Sequence, residues 1–222
     1  MTHSSRRVLS TAVIIAMAGL MGSIASPAIE VEVGPRAMVS IAGGEPANDI
    51  MSAGVYAKFR LSERWRIGTA IDFAAYDFER PAKLVGLRQD ESVGVIDADT
   101  SAMIVSTWVE QWFGGEDNKW RWFWTGGIGF SSPDVDDAMG PLEGGGTFNI
   151  TTDPGTETIL SVGGGVRRAI SKRWAFDLGL KADHHIADWE VMDRVSGNRG
   201  TVDSYTAWGA YGGLTYRFGG KR

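Results

Sequence analysis

The sequence predicts an all-β fold, an eight-stranded antiparallel up-and-down β-barrel that spans a membrane. Eight segments alternate apolar and polar residues with the two-residue period of a strand, and the connections between them alternate between short and long. The pattern is clearest in residues 119–130, KWRWFWTGGIGF, where Trp120, Trp122 and Trp124 share one face and Arg121 lies on the other. Three such tryptophans are too bulky for most soluble cores, whereas strands of membrane barrels are apolar outside and polar inside.

The composition agrees with a barrel and excludes several classes of protein. A hydrophobic content of 43% and a mean hydropathy of -0.10 are what a membrane barrel shows when its apolar residues occupy alternate positions. Thirty glycines and nine tryptophans favour closely packed strands that meet a membrane boundary. The net charge of -5 argues against a nucleic-acid partner, and the absence of cysteine excludes disulfides, thiolate metal sites and a lipidated cysteine.

Residues 1–28 are predicted to be a secretory signal peptide. Two arginines precede an apolar run over residues 8–24, and small residues follow it, which is the order of such peptides. We expect cleavage after Ala28, with Ala25 as the alternative, so that residues 29–222 form one barrel domain. An uncleaved anchor is the competing interpretation, because the run approaches the ~20 residues of a membrane-spanning helix.

Eight strands follow in the mature chain. Pro35 interrupts the first one, and since proline lacks an N–H group we expect a local bulge or a missing ladder bond there. The fourth strand has apolar residues on both faces, and we place Glu110 inward, which turns the odd-numbered positions outward. The predicted strands comprise residues 31–42, 51–61, 65–78, 101–113, 119–130, 158–167, 174–185 and 205–218.

The connections differ sharply in length. Tight turns follow the second, fourth and sixth strands, whereas residues 79–98, 131–155 and 187–202 are polar or rich in glycine and proline and are predicted to be long loops. Bacterial barrels place short turns on the periplasmic side and long loops outside. We therefore expect both termini to be periplasmic.

Charged residues of both signs fall on the inward face of the strands. Eight strands enclose room for side chains only, and charges in so narrow an interior are costly unless they are paired. The simplest hypothesis is a salt-bridged network that plugs the lumen, and the alternative is a narrow channel whose excess positive charge favours anions. The predicted network consists of Glu32, Arg36, Lys58, Arg60, Arg66, Asp72, Glu110, Arg121, Arg167, Asp177, Lys181, Asp183, His185 and Arg217.

Aromatic residues fall on the opposite face and are predicted to meet lipid. They are Trp65, Phe73, Trp120, Trp122, Trp124, Phe130, Trp174, Phe176, Trp208, Tyr216 and Phe218. A soluble lipocalin-like barrel would need these tryptophans inside and the charges outside. The small residues on the charged face, such as Gly163 and Gly165, suit a crowded lumen better than an exposed surface.

With its strands laid out, the chain resembles the small eight-stranded outer-membrane barrels, a group that includes the OmpA transmembrane domain, OmpX, OmpW and the opacity-type surface proteins. The resemblance rests on the signal peptide, the alternating strands and the closing residues 209–218, GAYGGLTYRF. It implies the outer membrane of a Gram-negative bacterium, contact with outer-membrane lipid and lipopolysaccharide, folding by the barrel assembly machinery, and a monomer. One departure is that residues 219–222 follow Phe218, whereas an aromatic residue usually ends the family's last strand.

Catalysis and metal binding receive little support. His185 with Asp183 would form an acid–base pair. Outer-membrane lipid A deacylases use a lipid-facing histidine with a serine two residues on, whereas Ile186 lies two residues after His184 in this chain. The loop carboxylates Asp134, Asp136 and Asp137 lack the glycine and distal glutamate of an EF-hand, so a solvated acidic loop is the simpler interpretation. We expect no enzymatic activity, no metal and no cofactor.

Overall fold

Eight antiparallel strands close into a barrel in the computed structural model, which describes residues 30–42, 49–78, 85–86, 98–115, 118–142 and 145–219. The predicted signal peptide lies outside the described residues. Within the described part of the chain, no helix has the length and hydropathy needed to cross a lipid bilayer. The barrel strands are β1 (Val31–Ala42), β2 (Asp49–Arg60), β3 (Trp65–Phe78), β4 (Ala98–Phe113), β5 (Trp120–Val135), β8 (Glu157–Ala169), β9 (Trp174–Ile186) and β12 (Tyr205–Phe218).

The first and last strands close the barrel. Val31 pairs with Phe218 of β12 on one side and with Phe59 of β2 on the other. The β1–β12 ladder runs from Val31 to Val33, resumes at Arg36 in the same register, and has no pairs between, whereas the β1–β2 ladder is continuous. The structure thus confirms the missing ladder bond expected at Pro35, and it shows no bulge.

Two short turns have the same local chemistry. In one turn, Ser62 Oγ accepts hydrogen bonds from the N–H groups of Arg64 and Trp65 at 3.3 and 3.2 Å. In the other, Ser171 Oγ accepts them from Arg173 and Trp174 at 3.3 and 3.1 Å. A serine hydroxyl that bonds backbone two or three residues on favours a tight turn. We call the barrel end with these turns the short-turn end, and the opposite one the long-loop end.

The prediction that residues 131–155 and 187–202 are loops is wrong. Strand β5 continues to Val135, and the rest of the two segments contains β6 (Ala138–Pro141), β7 (Thr147–Asp153), β10 (Trp189–Asp193) and β11 (Arg199–Val202). These strands form a second sheet in the order β11-β10-β7-β6. They are short, and among many polar and glycine residues their alternation covers too few positions to stand out in sequence.

The second sheet covers the long-loop end of the lumen with an apolar core. Its buried face carries Phe148 and Ile150 from β7 and Trp189 and Val191 from β10. The core formed with the inward residues of the barrel strands comprises Ile50, Ala74, Tyr76, Phe78, Val85, Ala98, Ala102, Ala138, Phe148, Ile150, Trp189, Val191, Val202, Tyr205 and Ala207. The part of the lumen beneath the second sheet is therefore mainly apolar, and most of the buried charged residues lie nearer the short turns. The sequence patterns did not predict this division.

Candidate functional site

Arg167 is the centre of the charged part of the lumen. Its Nε and Nη2 donate to Asp177 at 2.6 and 2.8 Å, and its Nη1 donates to both oxygens of Glu32 at 2.6 and 2.7 Å. Asp177 lies on the neighbouring strand β9, whereas Glu32 lies on β1, three strands away. All three side chains are buried. Their contacts thus cross the lumen, and the forked geometry is the strongest form of an arginine–carboxylate pair.

Lys58 extends this layer to the opposite wall. Its ammonium lies 3.0 Å from Asp177 and 2.7 Å from Glu110. Glu110 also accepts hydrogen bonds from the indole N–H groups of Trp108 and Trp112 at 2.9 and 3.0 Å. Glu110 lies inward, as its assignment in the fourth strand predicted. Every oxygen of this buried carboxylate is therefore satisfied, which is what a buried charge requires.

Trp112 packs against three arginines in the charged part of the lumen. Its ring is fully buried, and the guanidinium carbons of Arg66, Arg167 and Arg121 lie 4.4, 4.7 and 5.1 Å from its centroid. Each distance is within the range of a cation–π contact. Trp112 was not predicted as a lumen residue, because β4 has apolar residues on both faces and its sequence alone does not show which face is inward. Its even-numbered position, the parity of Glu110, was the signal that would have placed it.

Two further ion pairs lie toward the long-loop end. Arg36 forks onto Asp72, with its Nε 2.8 Å from one oxygen, and donates to Ser106 Oγ at 3.1 Å. Lys181 lies 2.7 Å from Asp183, which also accepts a hydrogen bond at 2.6 Å from the hydroxyl of Ser161. These four charged residues lie inward at a different level of the barrel from Arg167.

Glu30 links the remaining two predicted cations at the short-turn end. Arg60 Nη1 lies 3.1 Å from Glu30, and Arg217 Nε lies 3.0 Å from it. Arg217 also donates to Glu32 at 3.3 Å. Glu30 was not predicted as a member of the network, because it precedes the first predicted strand by one residue. Glu30 is two residues before Glu32, and this spacing would have placed both side chains on the same inward face.

His185 is paired differently from the acid–base hypothesis. Its Nδ1 lies 3.0 Å from Glu157, and its ring stacks on Tyr205 at a centroid distance of 4.5 Å. Asp183, the partner expected from sequence, instead contacts Lys181 and Ser161. Because the carboxylate of Asp183 is already paired, His185 bonds instead to a carboxylate on the adjacent strand β8. His185 is 5% exposed beside the apolar core, because Tyr205 belongs to that core.

Two cavities flank the Arg167 layer. One, of about 60 Å³, is lined by Lys58, Glu110 and Asp177 among others, and the other, of about 170 Å³ at the short-turn end, is lined by Arg66, Arg167 and Glu32 among others. Within the described part of the chain they share no lining residue. The ion-paired layer therefore separates them.

Glycines make room for the aromatic side chains of the lumen. A Cβ added to Gly68 would lie 2.4 Å from the ring of Trp108, and one added to Gly179 would lie 2.5 Å from the ring of Tyr211. Both distances are shorter than real Cβ contacts. The inward glycines thus permit a lumen packed with large side chains.

The outer surface carries the predicted aromatic residues. Trp120, Trp122 and Trp124 are 54, 67 and 63% exposed. This placement contradicts the lipocalin-like alternative, which needs the same tryptophans inside. Ten of the predicted aromatics are exposed, namely Trp65, Phe73, Trp120, Trp122, Trp124, Phe130, Trp174, Phe176, Trp208 and Phe218, and Tyr216 is half-buried between Trp174 and Phe218.

The acidic residues weighed as metal ligands lie apart from the lumen. Asp134 lies within β5 opposite Ser101, and Asp137 forms an exposed ion pair with Arg194 at 3.4 Å. Among the residues that the structure describes, no group of three or more His, Cys, Asp or Glu side chains is arranged to hold a metal ion.

Comparison with known proteins identifies the fold. No protein-family model matches the chain, and no curated protein does. Similar solved structures include OprG, an outer membrane protein of Pseudomonas aeruginosa, at a TM-score of 0.63 and 9% identity over 86% of this chain and 96% of that chain. A major outer membrane protein of Thermus thermophilus has a TM-score of 0.54 at 13% identity, over 86% of this chain and 100% of that chain.

Neisserial surface protein A is also similar, with a TM-score of 0.51 at 14% identity over 87% of this chain and 98% of that chain. At such low identities the likeness concerns the fold. The closed eight-stranded barrel and its apolar exterior lead to the same result independently. The chain therefore has the fold of the small eight-stranded outer-membrane β-barrels.

Proposed function

We propose that the protein is an integral outer-membrane barrel with a closed lumen and a structural or surface-interaction role. The observation that carries the proposal is the buried layer in which Arg167 joins Glu32 to Asp177 across the barrel. A solute would have to break several charge-assisted hydrogen bonds to pass it, and each would leave a buried charge without its partner.

The second sheet supports closure at the other end. Phe148, Ile150, Trp189 and Val191 pack against inward barrel residues, so the long-loop end is covered by apolar side chains. An ion that entered there would lose its hydration without gaining a polar partner. The outer face of the same sheet, with residues such as Thr151, Glu190 and Arg199, is the surface that we assign to contacts outside the cell.

The apolar exterior supports the membrane location. Exposed Leu180, Val162 and Phe73 are typical of side chains that face hydrocarbon, and exposed tryptophans are typical of an interface belt. We propose that the barrel contacts outer-membrane lipid and lipopolysaccharide as a monomer, is folded by the barrel assembly machinery, and has the short-turn end and both termini in the periplasm.

Planar-bilayer recording tests the closed lumen. The mature protein is refolded, its folding is checked by the different gel mobility of unheated and boiled samples, and it is added to a bilayer. We expect no steady conductance. Steady, anion-selective conductance would refute the closed lumen and favour the second candidate function, a narrow anion channel, which the basic lining of the short-turn cavity favours.

Single-cysteine labelling tests the orientation, because the chain has no cysteine of its own. Met139→Cys lies on the exposed face of β6, and Lys172→Cys lies in a short turn. We expect a membrane-impermeant maleimide to label Met139→Cys on intact cells and to label Lys172→Cys only after the outer membrane is permeabilised. The reverse pattern would contradict periplasmic termini.

We also propose that the protein is not an enzyme. The support is that His185 is buried and holds Glu157 rather than lying in an open cleft. In cells that carry His185→Gln we expect the lipid A and phospholipid composition to equal that of wild-type cells. A strain that lacks the protein shows which lipid species depend on its presence. A lipid species that is present in wild-type cells but absent from both the His185→Gln strain and the strain without the protein would establish an activity that depends on His185.

A further inference from the structure

We propose that the cavity at the short-turn end of the lumen binds a phosphate-type oxyanion. Among the described residues that line it, eight are basic and one, Glu32, is acidic. The cavity has a volume of about 170 Å³, which is room for several water molecules. It therefore has both the charge and the space for a tetrahedral anion.

Arg66 is the residue that most needs a ligand there. It is 1% exposed, and its Nε and Nη1 atoms have no hydrogen-bond partner among the described residues. Among the described residues, the nearest carboxylate oxygens belong to Glu32 at 3.7 Å and Glu30 at 4.0 Å, and both distances exceed that of a hydrogen bond. A buried guanidinium with two unsatisfied N–H positions is destabilising unless another acceptor is present.

The neighbouring carboxylates are already engaged. Both oxygens of Glu32 accept from Arg167 at 2.6 and 2.7 Å, and Arg217 donates to the same carboxylate. Glu110 is held by Lys58, Trp108 and Trp112. Glu30 is paired with Arg60 and Arg217. Each described carboxylate around Arg66 thus has another cation, and an anion in the cavity would supply the acceptor that Arg66 lacks among the described residues.

Strand register gives a second, independent reason. Arg60 and Arg66 are directly opposite on β2 and β3, and Arg121 and Arg167 are directly opposite on β5 and β8. Like charges at opposed positions destabilise a sheet. Two such pairs face the same cavity. Glu30 and Glu32 offset part of their repulsion, and an anion between the pairs would reduce it further.

The arrangement favours a phosphate group over a monatomic anion. Guanidinium groups present planar forks of donors that match the oxygens of phosphate, and several donors from different walls suit a tetrahedral acceptor. Free phosphate and the phosphate of a lipid headgroup share this chemistry. Lys119 and Lys172 line the same cavity and are exposed, so they lie at its mouth, where either source would enter.

The test uses the full mature protein in octyl glucoside micelles, which contain no phosphate. Inorganic phosphate is added to about 10 mM, enough to saturate a site with a dissociation constant near 1 mM. We expect saturable broadening of the ³¹P signal and a saturable shift of the Arg66 Nε–Hε resonance. In a second arm, short-chain phosphatidylglycerol replaces phosphate. A response to phosphate alone identifies a soluble ligand, and a response to the lipid alone identifies a headgroup.

Three variants make the result specific. Arg66→Gln should abolish the ³¹P broadening, and Lys119→Gln with Lys172→Gln, which leaves the buried layer intact, should weaken the affinity by roughly tenfold through loss of two charges. Arg194→Gln is the matched control, because it removes one exposed positive charge far from the cavity, and it should bind as the wild type does.

The proposal is overturned if neither probe gives a saturable response, or if Arg194→Gln and the double variant weaken binding equally. The micelle measurement needs no closed lumen and no particular orientation, so its failure is distinct from failure of the proposed function.

Discussion

Arg167 and Asp177 form a two-pronged ion pair within the lumen, with Nε to Oδ1 at 2.6 Å and Nη2 to Oδ2 at 2.8 Å. The same guanidinium holds Glu32, so Arg167→Ala removes the shared partner of two buried carboxylates. We predict a loss of about 3–5 kcal/mol in the free energy of unfolding, measured by urea titration of the gel-mobility shift. The second sheet still covers the long-loop end of the lumen, so we expect the variant to remain silent in planar bilayers.

Arg168→Ala is the control for this prediction. Arg168 is the next residue, is exposed on the outer face and lies over Trp120 at 5.4 Å. It loses the same charge without touching the lumen, so we expect unfolding and conductance close to those of the wild type. If both variants unfold at the same urea concentration, the ion pairs of Arg167 do not stabilise the barrel.

Trp112 makes two kinds of contact that substitutions separate. Trp112→Phe keeps an aromatic ring near Arg66 and Arg167 but loses the indole N–H that Glu110 accepts, and we predict a cost of about 1–3 kcal/mol. Trp112→Leu loses the cation–π contacts as well and should be less stable than Trp112→Phe in the same urea titration. The outward Trp122→Phe controls for loss of an indole. Equal stability of the two Trp112 variants would contradict a role for the ring.

The barrel strands could be predicted from sequence because the two-residue alternation of side chains holds over their whole length. In β5 the apolar and polar environments alternate over enough residues that the two faces are unambiguous, and β1 and β12 repeat the pattern. Even the effect of Pro35 followed from its missing N–H group. The second sheet could not be predicted, because β6 and β11 have four residues each and their burial depends on packing over the barrel rim.

The partners within the lumen could not be predicted for a different reason. Sequence periodicity gives the face of Glu32 and Lys58 but not their height or their distance across the barrel, which depend on register and closure. The sequence therefore predicted that Glu32 points inward. It did not predict that Arg167, three strands away, is its partner. The same applies to His185, for which the nearest carboxylate in sequence is not the nearest in space.

Phe148 tests whether the second sheet is a separate layer of stability. It is fully buried in the apolar core beside Trp189 and Val191. We predict that Phe148→Ala costs the sheet about 3–5 kcal/mol and speeds proteolysis of residues 145–153, while the barrel keeps its heat-dependent gel mobility. Met139→Ala, on the exposed side of β6, should leave proteolysis unchanged. Loss of the barrel's mobility shift in Phe148→Ala would show that barrel and sheet unfold together.

Asp193 makes the second sheet sensitive to acid. Burial raises the pKa of Asp193, but hydrogen bonds from Ser196 and from the backbone N–H groups of Asn149 and Val195 outweigh it, so the pKa lies below its usual range. A lowered folded-state pKa contributes stability that is present above the unfolded value, about 3.9, and is lost as the pH falls toward the folded value. We therefore predict that amide exchange at Asn149 and Ser196, corrected for its intrinsic pH dependence, accelerates below about pH 4.

Asp193→Asn separates this effect from general acid unfolding. The asparagine keeps an acceptor oxygen for the Asn149 N–H but carries no charge at any pH, so the corrected exchange rates should be faster than wild type at neutral pH and flat with acidification. Asp153, exposed at the end of β7, gives the matched control, and Asp153→Asn should keep the wild-type pH profile. If Asp193→Asn and the wild type show the same acceleration, the ionised carboxylate does not stabilise the turn that begins at Asp193. The effect of burial on the pKa of Asp193 would then outweigh that of its hydrogen bonds.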